Sequence, residues 1–209
     1  MDETLTPLRS LSQGDKDDIR AICSLGAAQA GSSLSRLAGV EVVVAPPEVF
    51  TLPLGDVPAL FGGLDAPAVG VLVPFQGDVE GNILLLFPDG GRNDLENLLF
   101  RDSSEASMEL VDSAFTETGN ILSGAFITVL SRLSGRLLIN LPPITVKDMA
   151  GAILDTILAE VGSHTDEVLA LVSRLKDQTG HSLVKAIIIP DPGSIELFLE
   201  ASARLRSGP

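Results

Sequence analysis

The feature that most constrains the fold is that this chain contains one unit twice. Leu34-Ser35-Arg36-Leu37-Ala38-Gly39 returns as Leu130-Ser131-Arg132-Leu133-Ser134-Gly135, with five of six residues unchanged at an offset of 96. The same offset sets Asp17 on Ser113, Leu25 on Ile121 and Pro46 on Pro142. Further along, Phe87-Pro88-Asp89 returns as Ile189-Pro190-Asp191 at an offset of 102, followed by Gly91 on Gly193 and Leu95 on Leu197. Matches that keep their order along both halves argue for two copies of one unit, roughly residues 13–100 and 109–205, with a small insertion in the second.

Both copies predict the same elements. A long helix spans roughly Gln13 to Leu37 and stops at Gly39, a residue suited to left-handed C-terminal geometry. Its counterpart spans roughly Ser107 to Leu133 and stops at Gly135. A β-rich segment follows each, Val40 to Ala45 and Arg136 to Leu141, and both stop at Pro-Pro, which cannot continue a sheet interior. Two more strands are expected in each half: Ala68 to Phe75 and Asn82 to Phe87, then Glu167 to Arg174 and Ser182 to Ile189. Gln76-Gly77-Asp78 and Gln178-Thr179-Gly180 supply the turns. Short helices near Asn93 to Phe100 and Ser194 to Leu205 close the halves. The pattern predicts an α+β fold: one pseudo-twofold domain over 1–209, with two long helices packed beside strands from both halves.

Composition narrows what such a fold can do. The 209 residues can bury a core without metal or disulfide staples. Acidic residues outnumber basic ones 28 to 14, for a net charge of −14, which argues against nucleic acid and anionic membrane as partners. Cys23 is the single cysteine, so no disulfide framework and no Cys-rich zinc site can form. The two histidines, His164 and His181, argue against a His-based metal site. With no Trp or Tyr there is no aromatic platform for bases or sugars. No apolar run is long enough to span a membrane. An acidic cytoplasmic protein is expected.

The second long helix has an unusual outer face. Phe115, Leu122, Phe126, Val129 and Leu133 share one side at about 100° per residue and read as the core stripe. Ser113, Glu117, Asn120, Gly124, Thr128 and Ser131 line the opposite side. Solvated helix faces are usually rich in long charged side chains; this one is short, and only Glu117 and Asn120 protrude. The first helix repeats the stripe as Asp17, Ala21, Ser24, Ala28, Ser32 and Ser35. The frame is duplicated, but the carboxylate and carboxamide occur once.

These residues resemble the signature of the CheC/CheX/FliY family, phosphatases of the chemotaxis response regulator CheY. The pattern here is Ser113-x3-Glu117-x2-Asn120-x21-Pro142. The run Asp112 to Gly124, the stretch Pro142 to Met149 and the Gly-Asp-x-x-Gly segment Gly77 to Gly81 are similar as well. The resemblance covers nearly the whole chain and its internal duplication. Within the family it is most similar to a one-site CheC: the first site keeps Asp17 and Pro46, but Ala21 and Ser24 replace Glu and Asn.

The resemblance implies an enzyme acting on phosphorylated CheY, with no cofactor of its own and Mg²⁺ on the partner receiver domain. Phosphoryl transfer passes through a loose transition state, so positioning and electrostatics do most of the work. Asn120 does not titrate, but its carbonyl oxygen can hold a water in line with the phosphorus. Glu117, one turn earlier, can pair with the receiver's lysine. Ser113 is implied as a peripheral contact or helix-start residue, and Pro142 as the shaper of a strand end. The alternative is a CheY-P-binding adaptor, weakly catalytic or non-catalytic, that regulates the receptor deamidase CheD, a known family partner. Other candidates are weaker. His164 and Asp166 lack a third metal ligand. Cys23 reads as core. Gly90-Gly91 reads as a turn, because no Gly-Lys-Ser/Thr follows.

Overall fold

A computed structural model describes residues 10–88, 96–97, 99–100, 107–163, 165–180, 182–191 and 194–207. Two serines start the long helices and two glycines end them. Helix α1 runs Gln13–Ala38 and α2 runs Met108–Ser134. Ser12 Oγ accepts from the Asp15 backbone N–H at 3.2 Å, and Asp15 accepts in return from the Ser12 N–H at 2.9 Å. Ser107 Oγ caps α2 by accepting from the Leu110 N–H at 3.3 Å. These bonds satisfy donors that the first helical turn leaves unpaired. At the other ends Gly39 and Gly135 take φ values of 65° and 66°, where a Cβ would be strained.

The expected strands are present, with others between them. They are β1 (Val43–Val44), β2 (Glu48–Pro53), β3 (Pro67–Gly77), β4 (Gly81–Pro88), β5 (Leu138–Asn140), β6 (Ile144–Met149), β7 (Glu167–Lys176) and β8 (Ser182–Pro190). The β-rich segments expected over Val40 to Ala45 and Arg136 to Leu141 shrink to β1 and β5. The Pro-Pro steps do end them, but each chain resumes at once as an edge strand, β2 or β6. Strand β2 lacks the two-residue alternation that marks a half-buried strand, and the short alternation in β6, Ile144 to Lys147, leaves its apolar residues exposed. Helix α3 (Ala150–Val161) and a short 3-10 helix, Leu54–Leu60, add to the expected elements. Helix α4 (Ile195–Ser207) closes the second half. The helix expected near Asn93 to Phe100 falls mostly outside the described residues.

The eight strands of the described residues form one antiparallel sheet, and its order exposes the duplication. From one edge it reads β1 and β2, then β7, β8, β4, β3, then β5 and β6. The edge strands are exchanged: β2 of the first half pairs with β7 of the second, and β6 of the second pairs with β3 of the first. Each half completes the other's sheet about a pseudo-twofold between β4 and β8. Central strands such as β7 are buried on both faces, so they read as continuous apolar runs.

One face of the sheet carries α1, α2 and α4, packed over Val69, Val71, Val73, Phe75, Phe87 and Leu171. The other carries α3 and the 3-10 helix over Ala68, Leu84, Leu86 and Val172. Cys23 is in the first core, 2% exposed, and burial pushes its thiol well above the usual range. No helix among the described residues is long and apolar enough to cross a membrane.

The two long helices meet at a glycine. A Cβ on Gly26 would collide with the ring of Phe126. Gly26→Ala should therefore lower stability by about 1–2 kcal/mol, although alanine gains about 1 kcal/mol in helix propensity. Phe126→Leu in the same chain should recover part of the loss. A urea midpoint at or above wild type for Gly26→Ala would show that the helices separate without cost.

Candidate functional site

Helix α2 lies with one side in the core and the other in solvent. Phe115, Leu122, Phe126 and Val129 are buried, and Leu133 is half-buried at the core's margin. Gly119 is buried against β3, where a Cβ would collide with Val71. That close approach seats the turn carrying Asn120 directly on the sheet. On the outer side, Ser113, Glu117, Asn120 and Thr128 are exposed, and Gly124 and Ser131 are half-buried.

The polar groups of this stripe are not equivalent. Thr128 Oγ1 donates to the Gly124 carbonyl at 2.7 Å, and Ser131 Oγ to the Arg136 carbonyl at 2.5 Å. Both hydroxyls are occupied. The side chains of Glu117 and Asn120 make no hydrogen bond or ion pair with the described residues. They stand three residues apart, on adjacent turns, with their acceptors open to solvent. Ser113 is exposed in the second turn; the helix start belongs to Ser107, which removes the helix-start role for Ser113.

Strands β5 and β6 frame the stripe. Asn140 Nδ2 donates to Ser123 Oγ at 2.9 Å, and the Thr145 and Thr116 hydroxyls lie 2.7 Å apart. Lys147 pairs with Asp112 one turn further out. Exposed Pro142 occupies the turn between Asn140 and Thr145, so its segment is tied to α2 on both sides of Glu117 and Asn120. Thr116, Ser123, Asn140 and Thr145 carry no signal in the periodicity of a single helix. The signal that reveals them is a comparison of the halves.

The first half places its own stripe the same way and closes it. Asp17 is paired with Arg20 at 2.6 Å and accepts from Gln13 at 3.1 Å. Ser24 turns its hydroxyl into the Arg20 carbonyl at 2.8 Å. Ala21 is exposed and offers no polar group, and Pro46 is exposed after β1. Among the described residues no group of three or more His, Cys, Asp or Glu side chains could hold a metal ion. Asp166 is exposed, while His164 and Gly90-Gly91 lie outside the described residues.

No family model matches the chain. It is 25% identical over 203 residues to the CheY-P phosphatase CheC of Bacillus subtilis, covering 93% of this chain and 97% of that protein. Among solved structures, Thermotoga maritima FliY superposes with a TM-score of 0.72 at 20% identity, covering 94% of this chain and 99% of that one. CheX from a CheX–CheY–BeF3–Mg²⁺ complex of Borrelia burgdorferi gives 0.54 at 20% identity, covering 80% and 96%. The structures share the fold, and the CheC similarity runs through both halves of the duplicated unit. Over nearly its whole length the chain is similar to CheC, and its fold is that of the CheC/CheX/FliY chemotaxis proteins.

Proposed function

We propose that this protein is a one-site CheC: a phosphatase that removes the phosphoryl group from the phospho-aspartyl form of CheY. The observation that carries this reading is the state of two side chains. Glu117 and Asn120 are exposed on adjacent turns of α2, unpaired with the described residues, on a stripe otherwise made of short side chains. A receiver domain can approach such a surface closely. The Asn120 carbonyl then accepts from a water and holds it in line with the phosphorus, while Glu117 pairs with the receiver's lysine. Mg²⁺ belongs to the receiver. The phosphoaspartyl bond is already labile, so a placed water and a fixed register suffice without a strong base.

The test is the decay of radiolabelled phosphate on CheY with and without this protein. Acceleration supports the enzyme. Tight binding to phosphorylated CheY or to CheD without acceleration selects the adaptor. The closed first stripe, with Ala21 and the back-bonded Ser24, supports one working site and not two.

Glu117 should act mainly through binding. Glu117→Ala is expected to raise KM about tenfold, the equivalent of about 1.4 kcal/mol for a partly desolvated interfacial charge pair. The effect should shrink as salt is raised, since exposed pairs are screened. A KM within twofold of wild type at low salt would remove the pairing role.

A further inference from the structure

The half that carries Glu117 and Asn120 differs from its duplicate in a second respect. Thr116 and Ser123 stand seven residues apart on α2, two helical turns, and flank the pair. Each hydroxyl turns its proton back on the helix. Thr116 donates to the Asp112 carbonyl at 2.9 Å, and Ser123 to the Gly119 carbonyl at 2.7 Å. Ser123 also reaches the carbonyl of Asn120 itself, at 3.2 Å. A hydroxyl has one proton, so each is left as an acceptor. Each then accepts from a strand: Thr116 from the Thr145 hydroxyl at 2.7 Å, Ser123 from Asn140 Nδ2 at 2.9 Å.

At the offset of 96 the corresponding positions are Arg20, Ala27, Val44 and Val49. Ala27, Val44 and Val49 have no hydrogen-bonding side-chain group, so neither bond can form there. Ala27 and Val49 are buried, and Val44 packs against the core. The first half thus builds the same helix and edge strands on apolar contacts. The fold does not require the polar clamp; the clamp accompanies the half with the carboxylate and carboxamide.

We propose that Thr116–Thr145 and Ser123–Asn140 are a positioning clamp for the phosphatase site. It sets the rotation and height of α2 over the Pro142 turn, so that Asn120 meets the phosphorus in line. A misplacement of about 1 Å can cost a large factor in rate. This inference rests on the reading of Glu117 and Asn120 as the working pair.

The test uses the full chain with phosphorylated CheY. Thr145→Val and Asn140→Val install the residues of the first half and leave Thr116 and Ser123 bonded to their own helix. Each should lower kcat about tenfold, with KM within about twofold, and Thr145→Ser should restore wild-type kcat. Amides of α2 from Thr116 to Ser123 should exchange hydrogen about tenfold faster in the valine variants. Wild-type kcat in both valine variants, while Asn120→Ala is impaired, overturns the clamp. So does a Thr145→Ser variant as slow as Thr145→Val, because then the hydroxyl is not what matters. If wild type and Asn120→Ala hydrolyse alike, it is the reading of the working pair that fails. Hydrogen exchange then decides the clamp alone: unchanged protection of α2 overturns it and faster exchange supports it.

Discussion

Asn120→Ala should bind phosphorylated CheY as wild type does and lose about a hundredfold in the rate of dephosphorylation. The expected effect, about 3 kcal/mol in the barrier, is what orienting one nucleophile contributes when the rest of the site is already held. The asymmetry between rate and binding follows from where the side chain sits. Asn120 is exposed and bonds to no described residue, so its removal leaves no cavity and no orphaned partner. Surface substitutions of that kind shift stability by about 0.5 kcal/mol or less. Single-turnover decay of labelled phosphate at saturating protein separates kcat from KM. An unchanged kcat would sink the role assigned to Asn120. A KM that rises in proportion to the lost rate would make it a binding residue instead.

The largest effect on stability is expected five residues earlier on the same helix. Phe115 is 1% exposed and meets Phe87 edge to face, with ring centroids 5.0 Å apart and planes at 75°. Phe115→Ala should cost about 3–5 kcal/mol, from lost burial, a cavity between α2 and the sheet, and the lost aromatic pair. That is a large part of the stability typical of a single domain. Phe115→Leu should cost markedly less, since it keeps most of the volume. Urea midpoints of the three proteins give the comparison. A loss under about 1.5 kcal/mol for the alanine variant would mean that α2 resettles onto the sheet, and the turn bearing Glu117 would have to move with it. Ile19, also fully buried, occupies the matching place on α1, so the packing at this position is duplicated while the outer face is not.

The long helices were legible in the sequence because what defines them is local. Ser12 and Ser107 can cap only the helix that follows, and Gly39 and Gly135 can end only the helix that precedes. The outer stripe was legible for the same reason, since residues three and four apart share a helix face. Strands β3, β4, β7 and β8 were legible as apolar runs between turn residues. Strands β2 and β6 were not, because an edge strand presents little burial for a pattern to report. Their existence depends on a partner strand in the other half of the chain. Helix α3 was missed beside β6, where the chain passes from strand to helix at Met149–Ala150 with no side-chain cap to mark the start.

What the sequence determined by itself is the duplicated unit, the two long helices and the carboxylate and carboxamide, Glu117 and Asn120, that only the second of them carries. Each follows from spacing along the chain and from backbone preferences that act within a few residues. Only the tertiary structure decided how the halves exchange edge strands and which side chains steady the site. Asn140 is 17 residues from Ser123, and Thr145 is 29 residues from Thr116. No periodicity links such pairs. They meet because β5 and β6 each add to β3 of the other half, in registers offset by one residue, and a further slip of one residue in either strand would turn Asn140 or Thr145 to the opposite face of the sheet.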